Sequence, residues 1–142
     1  MAKATRHRAS VVCVHDRRLL CVRLRDPRTG VTRLFVPGGA IEPGETAAGA
    51  AERETLEETG YAVCVDPGSE LVAGYRFVWA AEAIDCTTHF FRARLRAPEQ
   101  PAGAVADADF NLGTVWLPLD ELEAALGFHA EILAAVRALA TP

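Results

Sequence analysis

The order of apolar and polar residues predicts a β-hairpin near the start of the chain. Apolar runs at residues 10–15 and 19–24 flank the polar residues Asp16, Arg17 and Arg18. Two such runs joined by a short polar turn are typical of paired strands. A loop with Pro and Gly follows at residues 26–30, and residues 34–36 predict a third short strand that leads into two glycines.

The pattern then changes to helical spacing. Thr46 suits a helix N-cap and Gly60 suits a C-terminal stop, so we predict a helix from Thr46 to about Thr59. Alanines at positions 47, 50 and 51 share a face with the glutamates at 54 and 58. Small side chains there let the helix approach a sheet closely and bring the carboxylates to the sheet edge. Leu56 falls on the opposite side, where it is either covered by another element or partly exposed.

The second half of the chain predicts further strands and closing helices. Strands are expected at residues 61–65, 70–78, 87–95 and 115–117, a loop at 97–113, and helices from Pro118 and over 129–139. Strands on both sides of a central helix, followed by closing helices, are typical of an α/β protein with a mixed sheet and helices on both faces. Without internal repeats or a composition break, residues 1–142 are predicted to form one domain.

Composition narrows the classes of function. The chain has 142 residues, half of them hydrophobic, and a net charge of −4, which gives no reason to expect nucleic-acid binding. Four cysteines lie in apolar stretches without a CxxC pair, which disfavours a zinc site or a disulfide framework. No apolar run approaches the roughly 18 residues of a membrane span, so we expect no membrane partner and a cytoplasmic protein.

The glutamates of the predicted helix indicate chemistry. Glu54, Glu57 and Glu58 are spaced i, i+3 and i+4, so they crowd onto one turn and repel by about 0.2–0.5 kcal/mol per pair. A cluster of hard oxygen ligands becomes favourable when divalent cations lie among them, and Mg²⁺ prefers such oxygens. A solvated acidic face is the alternative. The residues alone suggest a magnesium site for phosphate chemistry.

The whole segment from Gly39 to Tyr61 fits the spacing G-x5-E-x7-R-E-U-x-E-E-x-G-U, where U is bulky and apolar. This segment resembles the signature of the Nudix hydrolases, although Thr55 at the first U position is smaller and more polar than usual. The resemblance implies a Nudix-type α/β/α sandwich with a mixed β-sheet. It also implies Mg²⁺-dependent hydrolysis, with Mn²⁺ as a substitute, of a phosphoanhydride bond in a nucleoside diphosphate linked to another moiety. The fixed positions are Gly39, Glu45, Arg53, Glu54, Glu57, Glu58 and Gly60.

The resemblance also implies roles for these residues. Glu45 and Arg53 would pair to brace the loop against the helix; Glu45 could instead complement the helix dipole, and Arg53 could pair with Glu57. Metal ligands would be the carbonyl of Gly38 with the three glutamates of the acidic turn. Either Glu54 or Glu57 would orient or deprotonate the attacking water. Some relatives add a later carboxylate, for which the candidates here are Asp107, Asp109, Glu82 and Asp85.

Substrate residues are less sharply indicated. Arg23 and Arg25, on the second strand, are predicted to bind substrate, together with Phe35 and Gly39. Four aromatic residues could stack on a base, namely Phe35, Tyr75, Phe77 and Trp79. Packing in the core is the alternative for each of them.

The expected substrate is a small nucleotide. Sequence marks of the ADP-ribose, dinucleoside polyphosphate and NADH types were not found, which leaves nucleoside tri- or diphosphates. The alternatives are an ADP-ribose or dinucleoside polyphosphate hydrolase, or a catalytically silent nucleotide-binding sensor of the same fold. The family resemblance also raises a homodimer as an expectation.

Overall fold

A mixed β-sheet forms the centre of the protein. The computed structural model describes residues 5–97 and 110–140, which form eight strands and three α-helices. The strands are β1 Arg6–His15, β2 Arg18–Arg25, β3 Thr32–Phe35, β4 Gly38–Ala40, β5 Val63–Val65, β6 Leu71–Trp79, β7 Glu82–Leu95 and β8 Asn111–Pro118. The helices are α1 Ala47–Thr59, α2 Leu122–Leu126 and α3 Ala130–Ala140.

Strand β1 lies in the middle of the sheet. Its residues 11–13 are completely buried, because a strand covered on both faces needs consecutive apolar side chains. Strand β7 runs parallel to it, from Arg6 opposite Cys86 to Cys13 opposite Ala93. On the other edge, β4 pairs with the first part of β1 and β2 pairs with its last residues, both antiparallel. Further out, β3 and β8 pair with β2, whereas β5 and β6 pair with β7.

Helices cover both faces of this sheet. Val12 belongs to a core formed with α2 and α3, whereas Val11 and Cys13 belong to a second core with Ala50 and Ala51 of α1. Side chains alternate between the two faces along a strand, so neighbouring residues of β1 contribute to different cores. The predicted α/β class and the α/β/α sandwich with a mixed sheet are therefore confirmed.

Helix α1 has the ends that its sequence predicts. The Thr46 hydroxyl accepts a hydrogen bond from the Gly49 N–H at 3.0 Å, which satisfies a free amide of the first turn. Gly60 has a left-handed φ of 76°, and its N–H donates to the Leu56 carbonyl at 2.9 Å. Leu56 is 50% exposed, on the side of the helix away from the sheet.

The hairpin of β6 and β7 corrects one prediction. Glu82 and Asp85 fall between the strands predicted at 70–78 and 87–95, but both belong to β7, which begins five residues earlier than predicted. The strands are joined by Ala80 and Ala81, which have φ values of 53° and 63°. Two-residue hairpin turns with this geometry usually contain Asn or Gly, so an alanine pair gave no turn signal.

The loop predicted at 97–113 extends too far, because its last three residues belong to a strand. Strand β8 begins at Asn111, and its pairing with β2 is irregular between Val22 and Leu24. Gly113 has a φ of 115° beside this irregularity. Glycine in a strand often marks such an irregularity, because it tolerates a positive φ. Residues 98–109, which include Asp107 and Asp109, lie outside the described residues.

Two smaller differences concern short elements. Strand β4 was not predicted, because glycines are depleted in strands and two of its three residues are Gly38 and Gly39. The helix expected from Pro118 begins as a 3₁₀ turn at Leu119–Glu121 and continues only as the five-residue α2. None of the helices within residues 5–97 and 110–140 combines the length and the apolar character needed to cross a membrane.

Candidate active site

An ion pair fixes the loop before α1 to the helix itself. The Arg53 guanidinium donates from Nε to Glu45 Oε2 at 2.7 Å and from Nη2 to Glu45 Oε1 at 2.8 Å. The same Nη2 donates to the Ala40 carbonyl at 3.0 Å, which ties the helix to β4. Hydrogen bonding to Arg53, helped by the Glu42 amide, lowers the pKa of Glu45 to about 2. Glu45 is therefore an anion at every physiological pH.

Two glycines let β4 pass close to its neighbours. A side-chain carbon on Gly38 would overlap the hydroxyl of Ser10 and the carbonyl of Ala9 on β1. A side-chain carbon on Gly39 would overlap the carboxylate of Glu54. Because neither glycine carries a side chain, the Glu54 carboxylate can lie directly against the backbone of β4.

The three glutamates of the acidic turn line one cavity. Glu54, Glu57 and Glu58 surround a space of about 270 Å³, together with Arg25 and Asn111. Arg53 Nη1 donates to Glu54 Oε1 at 3.0 Å and to Glu57 at 3.2–3.3 Å. The side chain of Glu54 is 16% exposed and that of Glu57 48% exposed. The turn thus presents its carboxylates at a graded depth, with Glu57 nearest to solvent.

Glu58 has the most unfavourable environment for a charge. Burial, and then the charge of Glu54, raise the pKa of Glu58 to about 8. A single long hydrogen bond, 3.4 Å from the Gly38 N–H to Glu58 Oε2, acts in the opposite direction. Burial also raises the pKa of Glu54, although Arg53 opposes that shift. The acidic turn therefore has more carboxylates than positively charged groups to neutralise them.

The donor set fits a hard divalent cation. All the side chains concerned offer carboxylate oxygens, which is the ligand type that Mg²⁺ and Ca²⁺ prefer. A cation would also supply the positive charge that Glu58 lacks. In the parts of the chain that the structure describes, no three His, Cys, Asp or Glu side chains lie close enough to chelate an ion as they stand. Arg53 holds Glu54 and Glu57 in the arrangement observed.

A second cavity opens beside the first. It has a volume of about 150 Å³ and is lined largely by aromatic and aliphatic side chains, among them Phe35, Phe77 and Trp79. The Phe35 ring contacts the rings of Phe77 and Trp79 edge to face, with centroids 5.8 and 5.2 Å apart. Three residues line both cavities, namely Leu24, Glu58 and Trp79. The aromatic cavity and the acidic cavity are therefore adjacent.

The predicted substrate residues are distributed unevenly. Phe35 lines the aromatic cavity and Arg25 lines the acidic cavity. Gly39 lies beneath Glu54, and Arg23 is exposed on β2 and lines neither cavity. Of the additional carboxylates, Asp85 pairs with Arg76 at 3.1 Å on the β6–β7 hairpin.

Two residues at the site were not identified from sequence. Arg8 lines the aromatic cavity, and it escaped notice because β1 was predicted to begin at Ser10. Asn111 is buried at the start of β8, and its Nδ2 donates to the Glu58 carbonyl at 2.8 Å. No local pattern marks Asn111, since its position depends on how β8 pairs with β2.

The fold and the site together define a class of protein. It is an α/β/α sandwich in which a helix packed on the sheet presents an acidic turn that is held in place by an ion pair. A family model described as the NUDIX domain matches residues 5–136, and the chain belongs to that family.

Individual relatives agree with the family assignment. The chain is 34% identical over 112 residues to the "Putative mutator protein MutT4" of Mycobacterium tuberculosis (strain CDC 1551 / Oshkosh). The matched region covers 75% of this chain and 41% of the relative. The chain is also 30% identical over 122 residues to the ADP-sugar pyrophosphatase of Mus musculus, covering 77% and 49%. This chain therefore spans less than half the length of either relative. The structure of a C. elegans Ap4A hydrolase binary complex shares the fold, with a TM-score of 0.73, 17% identity and 96% of both chains covered.

Proposed function

We propose that this protein is a Mg²⁺-dependent pyrophosphohydrolase that cleaves a phosphoanhydride bond in a small nucleotide, with nucleoside tri- or diphosphates as the first candidates. The observation that carries the proposal is the meeting of two cavities at Glu58, one acidic and one aromatic. A nucleotide has the same two parts, a polyphosphate that needs cations and a base that stacks on aromatic rings. Proteins of this family generally use divalent cations.

Each residue of the acidic turn has a proposed role. Glu54, Glu57 and Glu58, with the carbonyl of Gly38, would hold Mg²⁺, with Mn²⁺ as a substitute. When bound, the ion supplies charge neutralisation to the diphosphate and a lower pKa to a bound water. Glu54 or Glu57 accepts the proton of the attacking water, and both lie at the acidic cavity, where a phosphate would be positioned. The Glu45–Arg53 pair keeps this turn fixed relative to β4.

One observation favours the alternative of a nucleotide-binding sensor without turnover. Arg53 donates hydrogen bonds to both Glu54 and Glu57, so those carboxylates already have a cationic partner. Substrate identity has its own alternatives, ADP-ribose and dinucleoside polyphosphates. They are supported by the names of the mouse ADP-sugar pyrophosphatase and the C. elegans Ap4A hydrolase.

A turnover panel tests the proposal. The protein is incubated with nucleoside tri- and diphosphates, ADP-ribose and dinucleoside polyphosphates, with Mg²⁺, Mn²⁺ or EDTA, and released phosphate and pyrophosphate are measured. We expect turnover with a divalent cation and its loss in Glu57→Gln and Glu58→Gln. Glu121→Gln, in the exposed turn before α2, is the matched control and should retain full activity. Tight nucleotide binding without product from any member of the panel would favour the sensor instead.

A further inference from the structure

A guanidinium without a hydrogen-bond partner lies in the wall of the aromatic cavity. Arg8 is half-buried on β1 and lines the aromatic cavity beside Ser10, Glu58 and Tyr75. Among residues 5–97 and 110–140, no atom accepts a hydrogen bond from its side chain, and none of its nitrogen atoms is fully enclosed. A half-buried arginine normally finds acceptors for its five N–H groups, so this one is available to an external acceptor.

The charge of Arg8 acts on both cavities. Burial is the largest cause that raises the pKa of Glu58 and of Tyr75, and the positive charge of Arg8 opposes the rise in both. It has the same opposing effect on Glu54, after that of Arg53. The guanidinium therefore lies close enough to influence the acidic turn on one side and the Tyr75 hydroxyl on the other.

The position of Arg8 on the sheet explains its orientation. Arg8 pairs with Ala40 of β4 on one edge and with Thr88 of β7 on the other, so β1 has no free edge here. Side chains alternate along a strand, so Arg6, Arg8 and Ser10 share a face, and all three line the aromatic cavity.

Arg53, the arginine that contacts the acidic turn, is not available in the same way. Arg53 donates hydrogen bonds to Glu45, Glu54, Glu57 and the Ala40 carbonyl. An anion arriving beside the aromatic cavity would thus find the donors of Arg53 occupied and those of Arg8 unoccupied. Planar guanidinium groups suit phosphate because two parallel N–H groups can bind two of its oxygens.

We propose that Arg8 binds the phosphate attached to the aromatic moiety of the substrate, while that moiety lies among Phe35, Phe77 and Trp79. This inference rests on the proposed function in taking the anion to be a phosphate. It assigns to Arg8 the recognition of the phosphate that stays on the organic product, and it makes Arg8 a determinant of selectivity for phosphorylated over unphosphorylated ligands.

Binding without turnover tests this proposal. The four ribonucleoside monophosphates and their parent nucleosides are titrated calorimetrically in EDTA into the wild type, Arg8→Gln, Arg8→Lys and Arg18→Gln. Arg18 is exposed at the far end of the β1–β2 hairpin, so its substitution removes the same charge outside the site. Thermal melting of each variant verifies that it is folded before the comparison is made.

We expect at least one monophosphate to bind the wild type more tightly than its nucleoside. Arg8→Gln should lower monophosphate affinity about tenfold or more, the scale of one charge-assisted hydrogen bond, and leave nucleoside affinity within about twofold. Arg8→Lys should recover part of the loss, and Arg18→Gln should match the wild type. Equal losses for nucleoside and monophosphate, or no monophosphate binding at all, would overturn the proposal. If the preference persists but the turnover panel yields no product, the hydrolase fails and this site stands.

Discussion

Replacing Ala51 by leucine should move the acidic turn without touching it. Ala51 is fully buried in the core that α1 forms with β1, where it packs with Ala9, Val11 and Cys13. The interior has no space for three additional carbon atoms, so α1 must shift outward or the neighbouring side chains must adopt strained rotamers. Glu54 and Glu58 lie one and two turns further along the same helix, so an outward shift displaces them from β4.

The size of both effects can be worked out. Overpacking of this kind costs about 1–3 kcal/mol. For a chain of 142 residues, each kcal/mol lowers the melting temperature by roughly 3–5 °C, so we expect a decrease of about 3–15 °C. If α1 moves by about 1 Å, misplacement of the carboxylates should lower the turnover number by about 100-fold. The loss of activity at a temperature well below melting should therefore far exceed the loss of folded protein.

Ala51→Gly provides the matched control. Glycine at the same position costs about 1 kcal/mol through helix propensity, but it removes volume and gives α1 no reason to move outward. Melting is followed by circular dichroism, and turnover is measured at 20 °C on the best substrate of the panel. We expect similar destabilisation but near-normal turnover in Ala51→Gly. Turnover that falls equally in both variants, or remains intact in Ala51→Leu, would refute the link between helix packing and carboxylate position.

Two further predictions concern the braced loop. Gly39→Ala should lower turnover by about tenfold or more with little change in melting temperature, since the new methyl group overlaps the Glu54 carboxylate; an unchanged turnover number would contradict this. Glu45 has a pKa of about 2 in the fold and 4.5 ordinarily, so its stabilisation is complete above pH 4.5 and is lost as the pH falls towards 2. Glu45→Gln should therefore lower the melting temperature at pH 7 and flatten its decline in acid, whereas Glu42→Gln should follow the wild-type profile.

The acidic turn could be predicted from sequence because its determinants are local. The cap at Thr46, the stop at Gly60 and the i, i+3, i+4 spacing of glutamates all lie within one stretch, and each fixes geometry without reference to the rest of the chain. Thr55 shows the limit of this approach. It is smaller and more polar than the bulky apolar residue of the signature, yet it is fully buried, and its hydroxyl donates to the Ala51 carbonyl at 2.7 Å, which satisfies its polar group.

The remainder of the site depends on contacts between distant parts of the chain. Arg8 becomes a cavity residue because β4 and β7 pair on either side of it, and neither pairing has a local signal in the sequence. Asn111 reaches Glu58 because an irregularity in the β2–β8 pairing shifts the register there. Sequence periodicity predicts which face of a strand is buried, but it does not specify which strands become neighbours.

The hydrogen bonds of the Arg53 guanidinium fall into two sets of different length. Its bonds to Glu45 are 2.7 and 2.8 Å long, whereas those from Nη1 to Glu54 and Glu57 are 3.0 to 3.3 Å. The shorter bonds hold the loop, and the longer ones offset repulsion among carboxylates that a cation would otherwise neutralise. A divalent ion could thus replace the Nη1 contacts while Nε and Nη2 keep the loop in place. A lysine offers one nitrogen at one point, so it could serve one of these functions but not both.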